Sequence, residues 1–347
     1  MSLTSIRLHN FRSYTETEFV FDDHLTLITG KNGIGKTNVL EALYVLYSGG
    51  SFRVADSELT QYGADWWKVS GVVDDVWREV RYQVHKKPNK QLIVGDGTAK
   101  RFMFRDKLPM VLFEPSDVLF VHGSPARRRK YIDTVASNLY ANYKPTLARY
   151  ERALLQRNNL LKKQRHNPQL SELLFVWDVA LSNYGTEIVR MRQELVESLN
   201  QTLGAFYENI SQQTLAVQLQ YTPSLTFTDP SSYIAVLQKH SQLDILSGTT
   251  TKGPHRDTFS LILEEKDAKQ TASRGEVRSL ILSMKFAEAA LLEKQFTQRP
   301  LLLFDDVLSE LDDVRKERLL KLCGDSQTII TDTHSTKKSI YTIKLPS

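Results

Sequence analysis

Three groups of residues in this 347-residue chain have types and spacing suited to phosphate chemistry. The first is GKNGIGKT at 30–37. Gly30, Gly33 and Gly35 let backbone N–H groups converge on phosphate oxygens, and a helix starting there points its positive end at them. Lys31, Asn32 and Ile34 complete the loop. Lys36 is expected to reach the β- and γ-phosphates of ATP or GTP, and the Thr37 hydroxyl to ligate Mg²⁺. The second group is PLLLFDDVLSELD at 300–312. An apolar strand ends there on Asp305, suited to the magnesium shell, and on Asp306, suited to polarise a water toward the γ-phosphate. The third is TASRGEVRSLILSMKFAEAALLE at 271–293, where Ser273 and Gly275 open a long amphipathic helix. A serine hydroxyl and free helix-end amides make a second anion site.

These groups need rigid elements to hold them. LTLIT leads straight into the glycine loop and reads as a strand, and an apolar strand beside it is expected to present Asp305. Val39, Leu40, Leu43, Tyr44 and Tyr47 recur at three- and four-residue steps, so a helix starts within the loop. SIRLHNF and EFVF read as further strands. WWKVSGVV, REVRYQVHKK and KQLIVGDG follow with Pro88-Asn89 and Gly95-Asp96-Gly97 as turns, giving an antiparallel patch. From Ser124 to Ser211 the texture turns helical, with Pro145 and Asn167-Pro168 as the expected interruptions. Strands resume at LAVQLQY and DTFSLIL, and a helix spans about 275–294. The expected class is α/β: a mixed sheet flanked by helices, with the N-terminal antiparallel patch and an inserted helical arm. The expected division is 1–123 and 213–347 for the nucleotide lobe and 124–212 for the arm.

Composition is ordinary for a globular chain, at 41% hydrophobic and 24% charged residues. No apolar run of about 18 residues occurs, so a soluble cytoplasmic protein without membrane contact is expected. Cys323 stands alone and reads as a helix-end core residue. The net charge of +5 is unevenly spread: from Arg127 to Arg165 eleven Lys or Arg face only Asp133 and Glu151. Such a stripe suits a polyanion, and Arg127, Arg128, Arg129, Lys130, Arg149, Arg157, Lys162, Lys163 and Arg165 are the candidate DNA contacts through phosphate. A solvated helix face is the plainer alternative. Tyr131, Tyr140, Tyr143 and Tyr150 sit among these charges and read as core more readily than as base-stacking groups.

The order of glycine loop, S-x-G-E and apolar strand with two aspartates resembles the ATP-binding-cassette ATPases rather than kinases or GTPases. A narrower resemblance rests on LHNFRSY, GKNGIGKTNVLEALY, VLFEPSD, GSPARRRKYID, TKGPHRD and LLLFDDVLSELD, in that order along essentially the whole chain. In these the sequence resembles the RecF family, the SMC-like recombination mediators of bacteria. The resemblance implies an ATP-dependent homodimer in which Ser273, Arg274, Gly275 and Glu276 complete the site of the opposite subunit. It also implies slow ATP hydrolysis, binding to DNA at single-strand gaps and junctions, and RecO, RecR and RecA as partners in gap repair, replication restart and SOS induction. His334 stands where such ATPases place a switch histidine, with a surface histidine as the plainer alternative, and Arg12 in NFRSY is read either as approaching the nucleotide or as a salt-bridged hairpin arginine. The signature reads SRGE where cassette ATPases commonly have SGGQ, so Glu276 replaces an amide that could donate. A different SMC-like ATP-gated DNA clamp, or a small-molecule kinase using the same loop, is the competing reading. The kinase has no need of the SRGE helix or DDVLSELD.

Overall fold

The computed structural model describes residues 2–84, 88–164, 171–227, 229–333 and 340–345. Backbone contacts divide the chain into two compact units. One holds Met1–Asp117, Asn209–Ser211 and Glu288–Ser347; the other holds Val118–Glu208 and Gln212–Ala287. The N-terminal stretch supplies β1 (Leu3–Phe11), β2 (Tyr14–Val20), β3 (Leu25–Thr29) and α1 (Lys36–Ser48). After it come β4 (Trp66–Val73), β5 (Val76–Gln83), β6 (Asn89–Val94), β7 (Gly97–Ala99) and β8 (Met110–Phe113). The middle supplies α2 (Leu119–His122), α3 (Pro125–Leu139), α4 (Tyr143–Gln164), α5 (Ser171–Ser211), β9 (Val217–Thr222), α6 (Pro230–Lys239) and α7 (Ser241–Ser247). The chain then runs through β10 (Thr258–Leu263), β11 (Lys266–Asp267), α8 (Ala268–Thr271) and α9 (Arg274–Phe296). It closes with β12 (Leu301–Asp305), α10 (Asp313–Cys323), β13 (Thr328–Asp332) and β14 (Tyr341–Lys344).

In the first unit the expected mixed sheet is two sheets. An antiparallel one runs β2-β1-β4-β5-β6-β7, and a parallel one runs β14-β3-β13-β12-β8. Parallel strands covered on both faces read as continuous apolar runs, which is why LTLIT and LLLF carry no alternation. The antiparallel strands alternate, and their inward residues Leu8, Trp67, Val69, Val80 and Leu92 are buried in one core with α1. Leu40, Leu43, Leu46 and Tyr47 of α1 are completely buried there, so the helix that starts in the glycine loop is fixed by packing. Cys323 ends α10 in the core, and burial pushes its thiol up to about 12, which leaves it a poor nucleophile.

In the second unit, helices α3 to α7 accompany a three-stranded sheet, β11-β10-β9. Pro145 does not interrupt a helix as expected. It sits in the first turn of α4, where a missing N–H costs no hydrogen bond. Residues 213–287, read from sequence as part of the nucleotide lobe, fall in this unit because buried polar groups tie them to the helices. Arg157 of α4 donates to Asp178 of α5 and to Asp244 of α7, each at 2.7 Å. Asn200 of α5 pairs its amide with both backbone groups of Leu219 on β9, at 2.8 and 2.9 Å.

The motif GPHRD, whose chemistry the sequence leaves open, closes this unit's polar core. Gly253 has φ 135, and a Cβ there would lie 2.3 Å from the Tyr233 hydroxyl and 2.5 Å from that of Tyr150, so glycine is required. His255 bonds the Tyr150 hydroxyl at 2.7 Å through Nδ1 and the Thr250 carbonyl at 2.9 Å through Nε2. Burial holds its pKa down at about 4. The unfolded chain takes up this proton near pH 6.5 and the folded chain only near 4, so stability is lost as pH falls through that window. Denaturant titrations at pH 7 and pH 4.5 should show His255→Gln losing on the order of 2 kcal/mol less than the wild type between them. Equal losses in both proteins would remove His255 as the cause.

Candidate functional site

The glycine loop lies where the sequence put it, between β3 and α1. Gly33 and Gly35 have φ of 81 and 108, and Gly35 is the cap residue of α1 with no side chain closing the helix start. A Cβ on Gly35 would approach Ser13 Oγ to 2.8 Å and Tyr14 OH to 2.9 Å, because the first hairpin packs on the loop. Tyr14 donates its hydroxyl to the Gly35 carbonyl at 3.1 Å, and burial pushes its pKa up to about 12, so it stays a donor. The Lys36 ammonium is curled into the loop, donating to the carbonyls of Gly30 at 2.6 Å and Lys31 at 3.0 Å. A cation thus already occupies the middle of the loop that Lys31, Asn32 and Ile34 complete.

The strand carrying Asp305 is not beside β3. β13 lies between them, and the register β12–β13–β3 sets Asp305 opposite Thr331 and Thr331 opposite Ile28. All these strands are parallel, so their carboxyl ends and the start of α1 share one edge of the sheet, the usual ligand edge of such sheets. The Thr37 hydroxyl donates to the two Asp305 carboxylate oxygens at 2.8 and 3.0 Å, across 268 residues of sequence. Thr331 donates its hydroxyl to Asp305 at 2.9 Å. Arg53 NH2 donates to Asp305 at 3.0 Å and to Glu114 at 3.0 Å.

Asp306 contrasts with its neighbour. Its backbone adopts φ 53 and its N–H donates to Thr331, while Oδ1 is buried without a hydrogen-bond partner among the described residues. A non-glycine residue in the left-handed region and an unsatisfied buried carboxylate oxygen each carry a cost, and such costs concentrate at functional sites. The set of a threonine hydroxyl and one carboxylate suits Mg²⁺, a hard cation that keeps waters and phosphates as its other ligands. The cation at Arg53 also shows that positive charge is accommodated against Asp305.

Arg12 makes the hairpin salt bridge that is the alternative to a nucleotide contact. Its Nε and NH2 donate to both oxygens of the buried Glu41 of α1, at 2.8 and 3.0 Å, and NH1 donates to the Glu58 carbonyl. Three of its donor groups are thereby committed, so Arg12 clamps the first hairpin to α1. Arg53 and Glu114 were missed. A lone arginine in SFRV and a glutamate in VLFEPSD carry no spacing signal, and only the tertiary fold brings them to Asp305.

In the second unit, Ser273 caps α9. Its N–H donates to the Glu276 carboxylate at 2.7 Å and its hydroxyl accepts from the Glu276 N–H at 3.3 Å. This is a capping box, which gives Glu276 a reason that glutamine would satisfy equally. Ser273 and Arg274 are exposed, and Gly275 is half-buried. His334 and Arg165 lie outside the described residues.

The basic stripe divides. Arg157 is completely buried in its pair of aspartates, which corrects its reading as a DNA contact: a guanidinium so enclosed cannot reach a phosphate. Arg128 is also buried, with NH1 donating to the Gly123 carbonyl, and the half-buried Arg129 donates to the Asp257 carbonyl. Arg127, Lys130, Arg149, Lys162 and Lys163 are exposed. Tyr143 and Tyr150 are buried, as their spacing indicated.

The RecF/RecN/SMC N terminal domain family matches residues 2–339. A "DNA replication and repair protein RecF" from Agathobacter rectalis is 35% identical over 337 residues, covering 96% of this chain and 92% of its own. The chain belongs to the RecF family. A relative of the same name from Bacillus anthracis is 33% identical, covering 99% of this chain and 96% of its own. Among solved structures, "the recombination mediator protein RecF-ATPrS in RecFOR pathway" superposes with a TM-score of 0.89 at 30% identity, over 99% of this chain and 96% of that one. An SMC head bound to the C-winged helix domain of ScpA has a TM-score of 0.56 at 16% identity, over 96% of this chain and 90% of that one, and shares the fold. The RecF-family chain thus carries the expected ATPase-head fold with its own helical unit. No helix among the described residues is long and apolar enough to cross a membrane.

Proposed function

We propose that this chain is a RecF-type recombination mediator of the cytoplasm, which binds ATP at residues 30–37, dimerises on it and engages DNA at single-strand gaps and junctions. The observation that carries the reading is the Thr37–Asp305 contact: the fold itself holds a phosphate-loop hydroxyl against a buried strand-end carboxylate. The loop amides and Lys36 would bind the triphosphate, with Lys36 exchanging the loop carbonyls for phosphate oxygens. Thr37 and Asp305 would hold Mg²⁺, which when bound neutralises phosphate charge. Asp306 would orient and deprotonate the attacking water through its carboxylate, whose Oδ1 has no hydrogen-bond partner among the described residues. Ser273, Arg274 and Gly275 would close the partner's site from the start of α9, where Ser273 and Arg274 are exposed and the helix dipole favours an anion. Slow turnover stimulated by DNA accords with this half-site arrangement. Arg127, Lys130, Arg149, Lys162 and Lys163 are the cations proposed for duplex phosphates. RecO and RecR as co-factors and RecA as the loaded protein follow from the family.

Sedimentation with ATP, ADP or no nucleotide, with and without gapped DNA, tests this. ATP alone should shift the protein to a dimer, and Ser273→Arg should keep ATP binding while dimerisation weakens at least tenfold, since the bulky cation obstructs the helix start. A sedimentation profile indifferent to nucleotide would sink the gating idea.

A further inference from the structure

The outer face of the antiparallel sheet carries a group of side chains that the nucleotide site does not use. Strand register aligns His9, Lys68, Arg81 and Gln91 in one row across β1, β4, β5 and β6, and Trp66, Gln83 and Asn89 in the next. The alternate residues Trp67, Val69, Val80 and Tyr82 point into the core, so these two rows face outward by the period of the strand. Trp66, Lys68, Arg81, Gln83, Asn89 and Gln91, with Trp67 and Tyr82 between them, line a cavity of about 350 Å³ that has no acid among its described lining residues.

The chemistry of that wall is specific. Trp66 is 41% exposed, and one side of its indole is backed by the His9 ring, with centroids 6.3 Å apart and planes at 24°. Glu16 holds that imidazole at 3.2 Å, fixing the platform. Arg81 pairs through Nε with Glu79 and its side chain is half-exposed, and Lys68 makes no ion pair among the described residues. An open indole face, two cations and three carboxamides are what an unstacked base and its flanking phosphates require. The ring takes the base, the amides take its edge, and the cations take the backbone. A duplex keeps its bases stacked and offers none to the ring.

We infer that this sheet face is a binding site for single-stranded nucleic acid, with Trp66 as the base-stacking platform and Lys68 and Arg81 as phosphate contacts. The inference extends the DNA reading to a site apart from the basic helices, and its test needs neither ATP nor a dimer, so the two can fail separately.

Binding of a fluorescent oligo-dT and of a blunt duplex to the full chain, without nucleotide, decides it. Trp66→Ala should weaken oligo-dT binding about tenfold and leave duplex binding unchanged, and Trp66→Phe should recover most of the loss. Lys68→Ala, a surface change with little risk to folding, should lower the slope of log affinity against log salt by about 0.7 for the single strand. Wild-type oligo-dT affinity in both alanine variants would overturn the inference. So would equal losses for oligo-dT and duplex, or displacement of oligo-dT by ATP in wild type and Trp66→Ala alike.

Discussion

Asp306→Asn should retain ATP and lower its hydrolysis by about 100-fold or more, the scale expected for removing a general base. The expectation rests on the difference between two adjacent carboxylates. Asp305 already accepts hydrogen bonds from Thr37, Thr331 and Arg53, so its oxygens are engaged by the fold. Asp306 has a buried oxygen with no partner among the described residues. Asparagine keeps the shape and is among the few residues that tolerate φ near 53, so the variant changes chemistry and leaves the backbone unstrained. Its amide cannot accept a proton. Phosphate release should therefore collapse while ATP-driven dimers accumulate in sedimentation. Turnover within threefold of wild type would show that Asp306 is not the base. Loss of ATP binding would show that it belongs to the phosphate cradle instead.

What the sequence made legible follows the range of the forces involved. The loop, its strand and its helix are contiguous, so glycine spacing and apolar periodicity were enough to place them. The strands WWKVSGVV and LLLFD were legible for the same reason, each being a local pattern of burial. The position of β13 between β3 and β12 was not, because strand order depends on crossover connections that leave no trace in a single strand. Arg53 and Glu114 show the same limit at the site: two isolated charges reach Asp305 only once distant segments have folded.

Charge was the least legible property. A run of cations announces a solvated or polyanion-binding face only when each cation is exposed, and helical geometry turns every third or fourth one inward. Arg157 was counted with Lys162 and Lys163, yet its partners Asp178 and Asp244 lie 21 and 87 residues away. Glu276 is the opposite case. As a departure from SGGQ it looked like a loss, and as the third residue of a capping box it has a local purpose in holding the helix start.

Arg192→Met should destabilise the helical unit by about 3–5 kcal/mol, the cost of leaving buried charge unpaired. Arg192 is 1% exposed at the middle of α5. Its guanidinium donates to Asp133 of α3 at 2.8 Å, to Asp257 at 3.1 Å, to the Tyr143 hydroxyl at 3.0 Å and to the Pro254 carbonyl at 2.8 Å. Asp257 in turn accepts from the Tyr221 hydroxyl and from the Ser224 N–H. Burial disfavours the charged guanidinium, but Tyr143, Asp133, Tyr221 and Asp257 together hold its pKa well above its ordinary value, so the cation is permanent. Methionine fills similar volume and removes every donor, leaving the partly buried Asp133 and the buried Asp257 without their cation. Lysine should rescue poorly, since one ammonium cannot reproduce the planar fork that meets four acceptors. Adding Asp257→Asn to Arg192→Met should recover part of the loss, because one stranded charge disappears. The phosphate loop belongs to the other compact unit, so ATP binding should survive at temperatures where the variant no longer dimerises. Denaturant unfolding within 1 kcal/mol of wild type would mean that this network adds nothing to stability. ATP affinity falling in step with unfolding of the helical unit would mean that the two units do not unfold independently.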